Sequence, residues 1–381
     1  MSGRRFEQIL GALNCSEGVP VEVNDRLVKI SPLFNMIIKK FQSSYSPSKY
    51  LSLDESMMLW RGRLIFRQYI KNKRHKYGIK FYELCTPDGY VLSAEIYKGK
   101  NIENTSSSKV NDLVIRLMKP FLNKGHHLFM DNFYNSVGLS KILLKNKTHT
   151  TGTLRSNRKL NPKQITGKNI RLKKGDHIFK RKGPIYVSRW KDKRDIFTIA
   201  TGYQPQMVTI KNRRGIEIQK PKQIIEYNSN MSGIDRCDQM LSYYSSPRKT
   251  IKWYKKVMYL LDMVLWNSFY IYKKKFPQYK GHFIDYHREI ATKLIHLPTD
   301  ITNGHQLIKK DKGKSSTNLN ILSHSQEKIP LPEGRWSRKT YFLSCRECYK
   351  QKIRKNTSWR CKDCPSKPPL CPGPCFTNYH S

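Results

Sequence analysis

Residues 50–64, YLSLDESMMLWRGRL, alternate between apolar and polar side chains well enough to form a β-strand, with Asp54 near its start. Acidic residues are scarce in this chain, because 28 Asp and Glu stand against 72 Lys and Arg among 381 residues. An acid in a largely apolar strand is therefore a candidate functional residue. The strand is also a fixed point from which the neighbouring elements can be placed.

The elements after this strand predict a mixed α/β sheet. Residues 76–99 alternate as two further strands joined at Pro87-Asp88-Gly89, which is a hairpin signal. Periodicity then predicts a helix at 106–121, a strand at 126–136, a helix at 136–147 and a strand at 148–155. This order of strands and helices is typical of a single mixed sheet with helices packed on it.

Composition and periodicity divide the chain into six segments. They are an N-terminal helical segment (1–50), the first part of an α/β core (51–155), a β-rich basic insertion (156–227), the second part of the core (228–298), a polar linker (299–340) and a cysteine-rich module (341–381). The most apolar run, 257–272, is interrupted by Asp262 and Asn267 and is shorter than the roughly 20 residues of a membrane span. We therefore expect a buried helix there and no membrane partner.

The net charge of +44 indicates a polyanionic partner, for which nucleic acid is the first choice and an anionic membrane surface the weaker rival. A single Lys or Arg is typical of a solvated surface, so the clusters carry this signal. The candidate DNA-binding residues are Arg61, Arg63, Lys73, Arg74, Arg155, Arg158, Arg248 and Lys249. Trp253 is a candidate for stacking on a base, with a core tryptophan as the alternative.

Three further acids lie at breaks between the predicted elements. Asp131 ends the strand of HHLFMDN, and Asp235 and Asp238 share one face of the helix that begins in SGIDRCDQM. Neighbouring lysines could neutralise such acids, and so could hard divalent cations, which take oxygen ligands. Two such cations about 4 Å apart suit an in-line phosphoryl displacement. Capping of strand ends and helix starts is the alternative role for each aspartate taken singly.

Six of the nine cysteines lie between residues 345 and 375. Paired Cys-x2-Cys motifs are a strong zinc signal, since one tight turn presents two sulfurs to a tetrahedral ion. The candidate ligands are Cys345, Cys348, Cys361, Cys364, Cys371, Cys375 and His380. A cross-brace would pair the first two cysteines with the last two and leave the middle pair with His380, so that an eighth ligand is missing or comes from elsewhere. A single closed zinc is the alternative.

Several segments together resemble the piggyBac transposases and the domesticated piggyBac-derived proteins. In family order they are LSLDESMMLWRGR with KNKRHKYGIKFYELC (51–85), FMDNFYNS (129–136), TGTLRSNRK (151–159), SGIDRCDQMLSYYSSPRKTIKWYKKV (232–257) and CPSKPPLCPGPCFTNYH (364–380). The resemblance implies an RNase H-like DDE/D domain with a β-rich insertion and a small C-terminal zinc-binding domain. It also implies that Asp54, Asp131 and Asp235 are catalytic metal ligands, with Asp238 as the additional helix aspartate.

The same resemblance implies an activity and its partners. In that family, metal-activated water nicks the transposon end, the freed 3′-hydroxyl forms a hairpin with the opposite strand, and the opened end joins a TTAA target. The cofactors would be Mg²⁺ or Mn²⁺ in the core and Zn²⁺ in the cysteine module, which binds transposon-end DNA. A homodimer in the nucleus, bound to double-stranded DNA, is the matching expectation.

One departure from the family concerns the start of the chain. Family members usually carry well over a hundred residues before the first catalytic aspartate, whereas Asp54 comes early here. The sequence therefore leaves two hypotheses, a metal-dependent DNA transposase core and a catalytically inactive DNA-binding protein domesticated from one.

Overall fold

The computed structural model describes residues 2–15, 26–71, 73, 75–99, 109–211, 214–246, 250–296, 324–331, 341–351 and 353–380. Contacts divide the chain into two compact units, Met1–Leu297 and Pro298–Ser381.

The first unit alternates helices and strands. In chain order its described elements are α1 (Gly3–Ala12), α2 (Ser31–Ser44), β1 (Tyr50–Leu59), β2 (Gln68–Tyr69), β3 (Tyr77–Cys85), β4 (Val91–Ile96), α3 (Lys109–Met118), a 3₁₀ turn (Lys119–Phe121), β5 (His127–Met130), α4 (Val137–Lys145), β6 (His149–Thr153), α5 (Lys163–Thr166), β7 (His177–Lys182), β8 (Ile185–Lys191), β9 (Asp195–Ala200), β10 (Met207–Lys211), β11 (Glu217–Pro221), α6 (Lys222–Asn230), α7 (Gly233–Tyr243), α8 (Lys255–Lys275) and α9 (Phe283–Ile295).

A large mixed sheet organises the first unit, and the predicted α/β class is confirmed. Its strand order is β2-β3-β1-β5-β6-β9-β8-β7, with β4 paired to the other part of β3. The long strand β1 is antiparallel to β3 and parallel to β5, and β5 is parallel to β6. Parallel neighbours require crossover connections, which α3 and α4 supply. The sheet is therefore the RNase H-like mixed arrangement that the sequence predicted.

The basic insertion does not stand apart from this sheet. Its strand β9 pairs antiparallel with β6, through Thr151 opposite Ala200, and β8 and β7 continue the sheet outward. An unpaired edge at β6 would expose a row of backbone donors and acceptors, and this pairing covers it. The remaining strands, β10 and β11, form a separate hairpin.

The helix α8 lies against the sheet through a mostly buried face. The two polar residues that interrupt its apolar run both have backbone partners. Asn267 accepts a hydrogen bond from the N–H of Val91 at 2.9 Å and donates one to the carbonyl of Val91 at 2.8 Å, and Asp262 accepts one from the N–H of Ser246 at 2.9 Å. Of the helices in the described ranges, none has the length and apolar character that a membrane crossing requires.

The start of α7 packs closely on the turn between β3 and β4. A Cβ at Gly233 would collide with the carbonyl oxygen of Thr86, and Gly89 has φ +102°, where side chains are disfavoured. These two glycines bring the first turn of α7 down onto the sheet, which fixes the position of the acids on that turn.

The second unit is small and is described by itself. Its elements are β12 (Gln326–Lys328), β13 (Leu343–Ser344), α10 (Arg346–Lys350), β14 (Asn356–Thr357), β15 (Trp359–Cys361) and α11 (Pro374–His380). Strand β12 pairs with β15, and β13 with β14. Residues 326–328, which the sequence assigned to the linker, thus form a strand of the cysteine-rich module. Its core is Leu370 together with buried cysteines.

Candidate functional site

Two of the predicted acids are brought together by parallel strand pairing. Leu53 on β1 lies opposite Met130, the last residue of β5, so that Asp54 and Asp131 follow at the same level of the sheet. Beyond this point β1 continues, whereas β5 ends. The carboxylate of Asp131 accepts a hydrogen bond from the N–H of Phe133 at 2.8 Å, which fixes the turn after β5.

The other two acids come from α7, which packs on β1. Asp235 lies in the first turn of this helix, and Asp238 lies one turn further on, towards the sheet. The Asp235 side chain is 70% exposed, and its Oδ1 lies 3.3 Å from Nζ of Lys73, whose own side chain is only 16% exposed.

Lys73 is the chain's own counter-ion for these acids. Burial acts to lower the pKa of Lys73, but the carboxylates of Asp54, Asp235 and Asp238 outweigh it and raise that pKa. The sequence grouped Lys73 with the DNA-binding cations, whereas in the structure its ammonium pairs with an acid. The charges of three of the four predicted metal ligands therefore act on the same ammonium group, so these three side chains lie near one another.

The acid cluster is poorly compensated as it stands. Burial, with the neighbouring Glu55 as the next cause, raises the pKa of Asp54 to about 8 although Lys73 acts against it. Burial likewise raises the pKa of Asp131. A cation stabilises the ionised form of clustered carboxyl groups whose pKa is raised. Carboxylate oxygens are hard ligands, which fit a divalent metal ion.

The carboxylates are close, but they are not gathered as tightly as the ligands of a single closed site. In the described ranges, groups of three or more His, Cys, Asp or Glu ligands with all ligand atoms within 4.8 Å of one another occur only in the second unit. A centre that shares two cations about 4 Å apart does not require all of its ligands that close together.

Two residues near the acids were not found from the sequence. Glu83 lies directly opposite Asp54 on β3, is fully buried, and accepts a hydrogen bond from Oγ of Ser56 at 2.5 Å. Burial raises the pKa of Glu83 to about 7. Burial also raises the pKa of Tyr227 on α6, and so do the charges of three of the aspartates nearby. For Glu83 the alternation of β3 was an available signal; for Tyr227 there was none.

The predicted DNA-binding residues have different environments. Arg155 donates to Oδ1 of Asn132 at 3.1 Å, and Arg158 donates to the carbonyl oxygens of Asn132 and Phe133, so both brace the loop that follows Asp131. Exposed positions are occupied by Arg61 and Arg63, while Trp253 is partly buried against the core. Arg74, Arg248 and Lys249 lie outside the described residues.

The cysteine module brings its ligands into two groups of four. In each group the ligand atoms lie within 4.8 Å of one another; the groups are Cys345, Cys348, Cys371 and Cys375, and His324, Cys361, Cys364 and His380. The cross-brace pairing predicted from the spacing is the one that the structure brings together. The candidate for the eighth ligand is His324, which sequence reasoning missed because it lies in a polar segment far from the cysteine motifs.

Both groups fit zinc. Four sulfur and nitrogen ligands are the usual donors of a closed tetrahedral zinc site. Burial acts to raise the pKa of Cys345, but the backbone N–H groups of Cys348 and Cys371 lower it to about 7. Burial and hydrogen bonds to neighbouring cysteines leave the pKa values of Cys348, Cys371 and Cys375 raised, so a metal ion would be needed to hold all four as thiolates.

Comparisons with known proteins agree with this geometry. The family model described as Transposase IS4 matches residues 1–269, and the model described as DDE_Tnp_1-like zinc finger matches residues 337–381. The fold is similar to that in the cryo-EM structure of the piggyBac transposase synaptic complex with hairpin DNA, with a TM-score of 0.62 and 24% identity over 91% of this chain and 72% of that one.

Two human relatives extend the comparison. The chain is 26% identical to PiggyBac transposable element-derived protein 3, over 94% of this chain and 60% of the relative, and 24% identical to PiggyBac transposable element-derived protein 2, over 84% and 59%. It thus spans about 60% of the length of the first of these. The fold and acid cluster define a transposase-type α/β domain with a zinc module. The chain belongs to the Transposase IS4 family and is homologous to its piggyBac members.

Proposed function

We propose that this chain is the catalytic core of a piggyBac-type DNA transposase, which cuts DNA and transfers strands at TTAA sites with Mg²⁺ or Mn²⁺. The observation that carries the proposal is the convergence of Asp54, Asp235 and Asp238 on one cation, Lys73, with Asp131 on the strand next to Asp54. These acids come from three separate stretches of the chain, and capping would not require them to share one region.

Each acid has a distinct task in this proposal. Asp54 and Asp131 would hold metal from two adjacent strands, where β1 and β5 set the spacing of their backbones. Asp235 and Asp238 close the site from α7. A divalent cation bound there would lower the pKa of water and stabilise the entering and leaving oxygens of a phosphodiester. Lys73 would then exchange its carboxylate partner for a phosphate.

The proposal extends to partners and location. The net charge of +44 suits double-stranded DNA, and the solved relative is a complex with hairpin DNA. The zinc module, with exposed basic side chains such as Lys350, would bind the transposon end. A homodimer acting in the nucleus completes the proposal.

The test is nicking of a TTAA-flanked duplex by the purified chain in Mg²⁺ or Mn²⁺. We expect Asp131→Asn to reduce nicking by about 10³-fold or more, because a neutral amide replaces an anionic carboxylate ligand of the divalent cation. DNA binding and the melting temperature should stay close to wild type. Asp176→Asn, at an exposed turn of the insertion, is the matched control and should nick normally.

The rival function is DNA binding without cleavage. The specific observation in its favour is the ion pair of Lys73 with Asp235, in which an ammonium already occupies one of the predicted metal ligands. Wild-type protein that binds the duplex but does not nick it in either metal would establish the rival and end the enzymatic proposal.

A further inference from the structure

One buried cation near the acid cluster has no counter-ion among the described residues. Lys255, the first residue of α8, is only 8% exposed. No described carboxylate or hydrogen-bond acceptor pairs with its ammonium group. By contrast, Nζ of Lys73 lies 3.3 Å from a carboxylate oxygen of Asp235, and Nζ of Lys80 lies 3.7 Å from one of Glu55.

Lys255 lines two adjoining cavities. The larger, of about 430 Å³, is also lined by Arg61, Thr250 and Ile251. The smaller, of about 210 Å³, is also lined by Asp238, so it reaches the acid cluster. Lys255 therefore lies between a second cation and one of the predicted metal ligands.

The surroundings of Lys255 favour an anion. Burial and the positive charge of Arg61 both lower the pKa of Lys255, which shows that nothing nearby compensates its charge. The N-terminal end of α8, a helix of 21 residues, adds its partial positive charge at the same place. The residue is buried as a whole, but its ammonium opens onto these cavities, so a negatively charged ligand that enters them would supply the missing counter-charge.

We propose that Lys255 and Arg61 form a binding site for one backbone phosphate of the DNA, next to the phosphodiester held at the acid cluster. The inference rests on the proposed DNA substrate and adds a positioning residue for it, since Lys255 was not among the cations that the sequence indicated. A bound phosphate supplies the counter-charge that the described residues lack there, on a cavity wall that also includes Leu59 and Ile251.

The test combines DNA binding with stability in the full chain. Binding of a fluorescent TTAA-flanked duplex is followed by anisotropy in EDTA between about 50 and 200 mM salt. We expect Lys255→Met to weaken binding about tenfold, as for a lost charged hydrogen bond, and to make the plot of log K against log salt shallower by about 0.9. The same variant should melt at a temperature no lower than wild type, because it removes a charge that has no counter-ion among the described residues and lies beside Arg61.

Two variants control this test. Lys274→Met removes a lysine of the same helix whose ammonium already pairs with Asp88 at 3.3 Å, and it should leave the salt dependence unchanged. Lys255→Arg keeps the charge and should keep the salt slope. If the Met variant does not fold, Lys255→Gln is measured in its place with the same expected loss of slope.

The outcomes separate this inference from the proposed function. Unchanged affinity and slope in Lys255→Met would overturn the phosphate site while nicking by the wild type still stood. Lower affinity with an unchanged slope and a lower melting temperature would reveal a merely structural lysine and overturn it too. If the slope becomes shallower in Lys255→Met as expected but the wild type does not nick the duplex, the phosphate site stands and the enzymatic proposal fails. No DNA binding by the wild type would overturn both.

Discussion

The acid cluster of the first unit and the two ligand groups of the second unit are assembled in opposite ways. The acids lie on β1, after β5 and on α7. Their positions depend on the nine-stranded sheet that the described residues form and on the helix packed against it. The zinc ligands occur within a few short elements, and each group of four already has its ligand atoms within 4.8 Å of one another.

The difference shows which part of the molecule depends on metal. The first unit has a large buried core of its own, so its fold precedes any ion that the acids bind. Among the described residues of the second unit, the buried core is one leucine with several cysteines, which is small for a stable fold. We therefore expect metal binding and folding to be coupled in the second unit and separable in the first.

Removal of zinc should have the largest effect and tests whether only the second unit depends on metal. A chelator should unfold the second unit, since structural zinc contributes about 10–16 kcal/mol per ion at neutral pH. Hydrogen exchange read by mass spectrometry should show lost protection around Cys361 and Leu370, while β1 and β5 keep theirs.

His324→Ala is the graded version of the same experiment. It removes one ligand from one group of four, so that the protein should retain one tightly held zinc equivalent while the second is released by weaker chelators. Full protection of the second unit after complete zinc removal would contradict the coupling.

A mutation in the core tests the other side of the comparison. Asn267→Ala leaves both the N–H and the carbonyl of Val91 without their buried partner, and each such group costs about 1–3 kcal/mol. We expect the free energy of unfolding of the first unit to fall by about 3 kcal/mol in urea titrations, and zinc content to be unaffected.

Asn228→Ala, an exposed substitution on α6, is the matched control and should change stability by less than about 0.5 kcal/mol. Loss of zinc in the Asn267 variant would argue against two independently stabilised regions.

The smallest expected effect concerns the counter-ion of the acid cluster. Lys73→Met should destabilise the metal-free protein by about 1 kcal/mol, because partly buried carboxylates lose their cation. It should also enlarge the rise in melting temperature on addition of Mn²⁺, since the ion then has no competing ammonium. Differential scanning fluorimetry with and without Mn²⁺ measures both.

Lys274→Met provides the comparison for Lys73. Its ammonium pairs with Asp88 at 3.3 Å, and neither residue is among the causes that shift the pKa of Asp54 or Asp131. We expect a smaller loss of stability, because both side chains are exposed, and an unchanged response to Mn²⁺. Equal Mn²⁺ responses in the two variants would show that Lys73 does not occupy the metal region.

Much of the candidate site was predictable because its signals are local. Asp54 and Asp131 could be placed from the alternation of their strands, and Asp235 and Asp238 from helical spacing. The zinc pairs followed from Cys-x2-Cys motifs. The ion pair of Lys73 with Asp235 was not predicted, since a lysine in a basic cluster gives no local sign that a distant carboxylate will pair with it.

The amino-acid order alone determined the kinds of elements, their succession and the residue types able to hold metal. These signals are periods of 2 and 3.6 residues and short motif spacings, and each involves only residues that are close in the sequence. Only the folded chain decided that β9 would cover the edge of β6, that His324 would complete the second zinc group, and that Asn267 would bind Val91. Such pairings join residues that are far apart in the sequence. They form because buried donors, acceptors and strand edges that remain unpaired in the sheet need partners, and only the folded chain brings those partners near.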